Sequence, residues 1–363
     1  MPQIAEDFIK TVLAEDFPRI YQSVYDESPL LQYLDRKMRS VHSDSKSRRS
    51  LANIYAVYSI LYFYRGEFFN KPQAYRKFGG YDFNRLLSLC RGLYGGSKLQ
   101  NHALNSRVNG EFRNKFPALL NDLVVADHGK YLIHIDYLYS RGRDISKTCC
   151  KVIEKYIELL MAKDHALLNT LQRLCELGDC AEKKKKIVDL MTDDSEARIF
   201  EIISYAVLKN HYRHIKVYFG YSRKALRQEE LQLFKTGRTN ANDGGIDFVM
   251  RPVGRFFQVT EVDRYDKYLL DLDKVNHFPM TFVVKTHLAK SEVLRDLNSY
   301  INRRANGMRV IVERYKNAVE EIITINELRQ WIDDLSDGDI DEIVRDIEIY
   351  YKLEMDIRVS DSE

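Results

Sequence analysis

The residues best suited to chemistry stand in one stretch, Thr236-Gly237-Arg238-Thr239-Asn240-Ala241-Asn242-Asp243-Gly244-Gly245-Ile246-Asp247, followed by FVMRPVGRFFQVTEV. A glycine-rich loop delivers Asp247 to the head of a short apolar run, Phe248-Val249-Met250. Pro252-Val253-Gly254 reads as a turn, and Arg255 to Val262 as a returning strand with Gln258 and Thr260 two apart. Packing gives little reason to place an aspartate and alternating polar residues on a buried hairpin. Metal chemistry does, because divalent cations need oxygen ligands held on rigid strands. The competing reading is a plain surface hairpin whose aspartate caps a glycine turn.

With Val253-Gly254 as a two-residue loop, Pro252 pairs with Arg255 and Asp247 falls opposite Thr260. Side chains alternate along a strand, so Asp247, Gln258 and Thr260 would then share one face and Glu261 would point the other way. A one-residue slip or a bulge reverses this and brings Glu261 in.

The same residues resemble the core of PD-(D/E)xK nucleases, most closely the Mrr-like type II restriction endonucleases. In that family the segment runs TGG-x-GDGGID and the returning strand ends in Gln-x-Lys. Phe200-Glu201 with Val207-Leu208 in FEIISYAVLKNHY resembles the family's first core helix, whose Phe-Glu pair brings a glutamate to the site. FPMTFVVKT is similar to its fourth strand, LAKSEVLRDLNSYI to the following helix, and EEIITINELRQWI to its closing strand and helix. The match spans about residues 193–335, with insertions at 213–235 and around 303–318.

The resemblance implies an α/β (α+β) chain, with a helical N-terminal domain and a C-terminal core whose central mixed sheet is flanked by helices. It implies a type II site-specific deoxyribonuclease that hydrolyses double-stranded DNA with Mg²⁺ or Mn²⁺. Asp247, Gln258 and Glu201 would hold the metal, and Thr260 or Glu261, depending on register, would complete the catalytic set. The cation would polarise the scissile phosphate and lower the pKa of its water. A palindromic site would call for a homodimer, with a cognate methyltransferase in the same system. One position departs from the pattern. Thr260 stands where the family has lysine, and threonine cannot offset charge developing on a phosphate. Either another cation such as Lys285 substitutes, or the metal works unaided, or catalysis is lost.

A length of 363 residues suggests more than one core. With 45% hydrophobic and 30% charged residues, the composition is that of an ordinary globular chain. The longest apolar run, in NIYAVYSILYFYRG, falls short of the roughly 18 residues of a membrane span. MPQIAEDFIK lacks the basic head and apolar run of a secretory signal, so a cytoplasmic location is expected. Cys90, Cys149, Cys150, Cys175 and Cys180 form no CxxC sets and read as reduced thiols. The nine histidines show no zinc spacing.

A net charge of +3 hides an asymmetry. Between Arg36 and Lys115 stand 16 Lys/Arg against 4 Asp/Glu, a footprint suited to a phosphate backbone. From Glu320 to Glu363 there are 15 acidic residues against 4 basic. That tail reads as a solvated face, kept away from DNA.

Three domains are expected: 1–125 helical, basic and DNA-reading, 126–192 a helical connector, and 193–363 the nuclease-like domain with its acidic helical tail. FGGYDFNRLLSLCRGLYGG predicts a helix capped by Asp82, and SKLQNHALNSRVNGEFRNKF a second one opening at Ser97. The pair fits a helix-turn-helix-like reader, with Arg76, Lys77, Arg91, Lys98, Asn101, Asn105 and Arg107 as candidate DNA contacts. A merely wet helical packing domain is the bland alternative. In the loop before Asp247, Arg238, Asn240 and Asn242 are further candidates. Lys130 to Leu138 suggests a strand, Ile145 to Leu177 a long helix, and Lys183-Lys184-Lys185-Lys186 a loop. Two other functions stay open: a DNA-binding defence component that has lost its chemistry, and an RNA-processing nuclease of the same fold.

Overall fold

Ser28 accepts a hydrogen bond from the Leu31 amide at 3.2 Å, and Pro29 opens the helix behind it. Cap chemistry of this kind starts helices where the sequence places Ser, Asp and Pro. The computed structural model describes residues 6–39, 50–97, 99, 105–192, 197–237, 245–261 and 264–355. They divide into two units, Met1–Ala166 and Leu167–Glu363. The boundary lies inside a long helix, so the segment 126–192, expected to be one connector, is shared between them.

The first unit holds helices α1 (Asp7–Asp16), α2 (Tyr21–Asp26), α3 (Pro29–Met38), α4 (Leu51–Glu67) and α5 (Pro72–Tyr75). They are followed by α6 (Phe83–Gly92), α7 (Ser106–Lys115) and the start of α8 (Ser146–Glu176). Short strands β1 (Tyr81–Asp82), β2 (Val124–Asp127) and β3 (Lys130–Ile133) make one small sheet, and β4 (Tyr139–Ser140) pairs with β5 (Arg143–Asp144). Helix α4 is apolar nearly all round and is therefore buried. Asn109 on α7 exchanges two hydrogen bonds with the Val124 backbone, at 2.8 and 2.9 Å, which ties α7 to β2.

The second unit contains α9 (Cys180–Leu190) and α10 (Ala197–Tyr212), then hairpin β6 (Lys216–Phe219) and β7 (Arg227–Glu230). Strands β8 (Gln232–Lys235), β9 (Phe248–Arg251) and β10 (Arg255–Glu261) follow as an antiparallel meander. After α11 (Tyr265–Lys274) comes β11 (Met280–Lys285), parallel to β10. Helices α12 (Lys290–Arg304) and α13 (Arg309–Ala318) lead to β12 (Val319–Thr324), parallel to β11, and α14 (Ile325–Asp333) and α15 (Asp337–Met355) follow. The result is a mixed five-stranded sheet in the order β12-β11-β10-β9-β8, with helices on both faces. Phe248, Met250, Phe257, Val283 and Ile323 pack with residues of α10, α14 and α15. Phe256, Met280, Phe282, Val284 and Ile322 pack on the other side, with α11, α12 and α13.

Two expectations about charge are corrected here. The tetralysine is helical and lies within α9, where Asp179 caps the Ala181 amide at 2.9 Å. Lys183 is buried against Asp341, and Lys184 donates to the Asp333 and Leu335 carbonyls at the C-terminal end of α14. The acidic C-terminal segment is not merely a solvated face. Along α15, Ile340, Ile343, Val344, Ile347 and Tyr351 enter the core, while Asp346 pairs with Lys209 at 2.7 Å and Asp339 and Glu342 hold Arg213. No helix among the described residues is long and apolar enough to cross a membrane.

Candidate functional site

One edge of the five-stranded sheet gathers most of the chemistry. There β8 ends at Lys235 opposite Phe248, where β9 begins, and β10 and β11 finish side by side at Glu261 and Lys285. In open α/β sheets this carboxyl edge of the parallel strands is where ligand sites form.

Asp247 stands just before β9, held from both sides. Its amide donates to the Phe257 carbonyl at 2.9 Å, although Phe257 is already paired with Phe248. Two consecutive residues thus face one, which is the geometry of a β-bulge. The Asp247 carboxylate accepts from the Val259 amide at 2.7 Å, and its carbonyl accepts from the Thr236 amide at 3.0 Å. Because a strand amide points within the sheet, this carboxylate continues the line of β9 instead of rising from a face.

The expected hairpin register is corrected. Met250, not Pro252, pairs with Arg255, and the Gly254 amide (φ 69°) closes the loop on the Met250 carbonyl at 2.8 Å. Pro252 has no amide with which to complete a ladder pair, so the turn takes four residues. Asp247 therefore lies beside Gln258 and not opposite Thr260.

Alternation along β10 separates the proposed ligands. Phe257 and Val259 pack toward α10, so Gln258 and Thr260, alternating with them, belong to the face of Phe256. Gln258 Nε2 donates to the Val259 carbonyl at 3.2 Å, and its Oε1 is a buried acceptor with no partner among the described residues. Glu201 comes from α10, hence from the opposite side. Its carboxylate is 6% exposed and accepts from Lys235 Nζ at 2.9 Å. Among the described residues, no three His, Cys, Asp or Glu side chains come together to hold a metal ion. Of the expected trio, Gln258 and Glu201 lie on opposite faces of the sheet and Asp247 at its end. Glu261 ends β10 with its backbone paired to Lys285, and its side chain lies outside the described residues.

Lys285, 8% exposed, alternates with Val284 and so shares the α10 face with Val283. Lys235 escaped sequence reasoning because residues 213–235 read as an insertion. The signal was nevertheless there, since Leu231, Leu233 and Lys235 recur at a strand's period of two.

Of the candidate DNA contacts, Lys98, Asn101, Arg238, Asn240 and Asn242 lie outside the described residues. Arg76 and Lys77 are exposed just after α5 and make no ion pair among the described residues. Arg91 donates to the Leu99 carbonyl at 3.2 and 3.1 Å. Arg107 pairs at 3.4 Å with Glu111, which also binds Lys37 and Asn53. Asn105 occupies the cap position of α7 without a side-chain cap bond. The helix expected to open at Ser97 opens instead at Ser106, and residues 93–97, 99 and 105 are not helical. A tight helix-turn-helix needs a turn of three or four residues, so α6 and α7 do not make one.

Comparison of the chain with protein-family models, with curated proteins and with solved structures gave no match.

Proposed function

We propose that the second unit is a nuclease-like domain acting on the phosphodiester backbone of DNA, with its site at the carboxyl edge of the sheet. The observation that carries this reading is the order α10, β8, β9, β10, α11, β11, with an antiparallel meander joined in parallel to the next strand. Of these elements α10, β9, β10 and β11 follow the PD-(D/E)xK resemblance, whereas β8 falls in the stretch that read as an insertion; together they bring Asp247 and two lysines to one edge. Asp247 is the anionic group at the reacting centre. Lys235 and Lys285 supply the positive charge that Thr260 lacks, next to where a phosphate would lie. Mg²⁺ or Mn²⁺ remains the expected cofactor by resemblance alone.

A second reading is favoured by the Glu201–Lys235 pair. A core-helix carboxylate already neutralised by lysine, beside a threonine in lysine's place, suits a DNA-binding component without catalysis. Incubating the full chain with plasmid DNA in Mg²⁺, Mn²⁺ or EDTA distinguishes the two. Discrete cation-dependent fragments support the nuclease, a mobility shift with intact plasmid supports the binder, and cleavage of RNA alone overturns both.

A further inference from the structure

Hairpin β6–β7 projects aromatic and cationic side chains that the fold itself does not use. Tyr221 is 99% exposed and Tyr218 is 72% exposed, although large aromatics contribute most when buried. Arg223, Lys224, Arg227 and Arg251 are exposed, and none makes an ion pair among the described residues.

Strand register sorts these groups into two faces. Phe219 lies opposite Arg227 and Val217 opposite Glu229, while Tyr218 lies opposite Gln228 on the other side. Between the first face and the β9–β10 turn runs a cleft of about 510 Å³, lined by Phe219, Tyr221, Arg227, Glu229, Arg251 and Pro252 among others. Gly220 shapes its tip. A Cβ there would lie 2.3 Å from the Ala225 carbonyl oxygen, so the hairpin turns back on itself more tightly than any side chain allows. The aromatic rings at the mouth pack edge to face, with centroids 6.2 Å apart.

We propose that this cleft binds an unpaired nucleotide of a DNA strand. The assignment rests on reading the second unit as a DNA-processing domain. The base stacks on Tyr221 beside Phe219, because every base has a π-face and stacking tolerates any sequence. The adjoining phosphate is held by Arg227 and Arg251, whose planar forks match phosphate oxygens. Glu229 at the wall accepts a hydrogen bond from an exocyclic amine, as carboxylates do with cytosine. The volume falls within the range of small-molecule sites and leaves room for one nucleotide.

The test uses the full chain in EDTA, so that cleavage does not intervene. The probes are a single-stranded oligodeoxynucleotide containing 2-aminopurine, the same strand in perfect and mismatched duplexes, its RNA counterpart, and free dAMP. Tighter binding of the single strand and the mismatched duplex than of the perfect duplex is expected, with quenched 2-aminopurine emission. Tyr221→Ala and Arg227→Ala should each weaken that binding roughly ten-fold, while Tyr221→Phe retains it. Tyr218→Ala, on the opposite face of the hairpin, should leave it unchanged. All of these positions are exposed, and unaltered thermal unfolding shows that the variants fold. Wild-type affinity in Tyr221→Ala and Arg227→Ala overturns the proposal, as does equal loss in Tyr218→Ala. Efficient displacement by free dAMP would make this a free-nucleotide site, and preference for RNA would make the strand wrong. Absence of plasmid cleavage in Mg²⁺ bears only on the nuclease reading and leaves these binding results intact.

Discussion

Lys235 Nζ lies 2.9 Å from Glu201 Oε1, with 13% and 8% of the two side chains exposed. The pair joins α10 to β8 one position before Thr236, whose amide binds the Asp247 carbonyl. It therefore bears on both the stability of the second unit and the charge at its carboxyl edge. Removing one partner strands the other as a buried charge, whereas replacing both with apolar groups is often neutral. Lys235→Met should cost about 3–5 kcal/mol in urea denaturation. Adding Glu201→Leu should recover most of that loss. A folded double variant that still cuts plasmid would remove both residues from the proposed site.

Asp247 separates structure from chemistry. Asp247→Ala leaves the Val259 amide without its acceptor, a loss of about 1–3 kcal/mol when such a group is buried. Asp247→Asn keeps an oxygen for that amide but loses the charge, so its midpoint in urea should stay near wild type. Under the nuclease reading, Asp247→Asn should reduce plasmid cleavage by orders of magnitude. Full activity in this variant, measured at equal fold stability, would leave the assignment without its central residue.

Thr260→Lys asks where the missing cation belongs. The strand's alternation puts position 260 on the Phe256 side, while Lys235, Glu201 and Lys285 occupy the α10 side. Restoring the family lysine should therefore bring no gain in cleavage. A rise in rate with Thr260→Lys would show that the catalytic groups meet on the Phe256 side, and that Lys235 and Lys285 are only structural.

Elements with strong periodicity were legible before the structure. The long helix expected from Ile145 to Leu177 runs from Ser146 to Glu176, and the strand within FPMTFVVKT is β11. The order from α10 to α14 also follows the residues that suggested it. Register was not legible, because it depends on Pro252, whose missing amide shifts the pairing by two residues. Nor was the face of β10 that meets α10, and it is the packing of Phe257 and Val259 there that parts Gln258 from Glu201. The fate of the charge runs was hidden too. Lys183 and Asp341 stand far apart in sequence, and only the packing of α15 on α9 and α10 turns two apparently solvated runs into partners. Within the Asn-rich segment, Asn109 serves the β2 edge, a pairing that no local pattern announces.

His211 offers a pH test that is independent of any activity. Its ring stacks on Trp331 at 3.8 Å between centroids and 13° between planes, and Trp331 is the chain's only tryptophan. Burial pushes the His211 imidazole below its ordinary value of 6.5, although nearby Glu321 works in the opposite direction. On acidification the unfolded chain therefore takes up this proton first. The contribution of the neutral ring to stability is intact above pH 6.5 and is lost as pH falls through the window below it. An imidazolium against an indole also quenches fluorescence. Tryptophan emission should accordingly drop at a midpoint below 6.5 while far-UV circular dichroism is unchanged. His211→Phe keeps a ring against Trp331 but removes the titration, so its emission should be flat and its thermal midpoint should fall less between pH 7 and pH 5. A wild-type emission midpoint at or above 6.5, or the same acid transition in His211→Phe, would show that His211 is not the group that titrates beside Trp331.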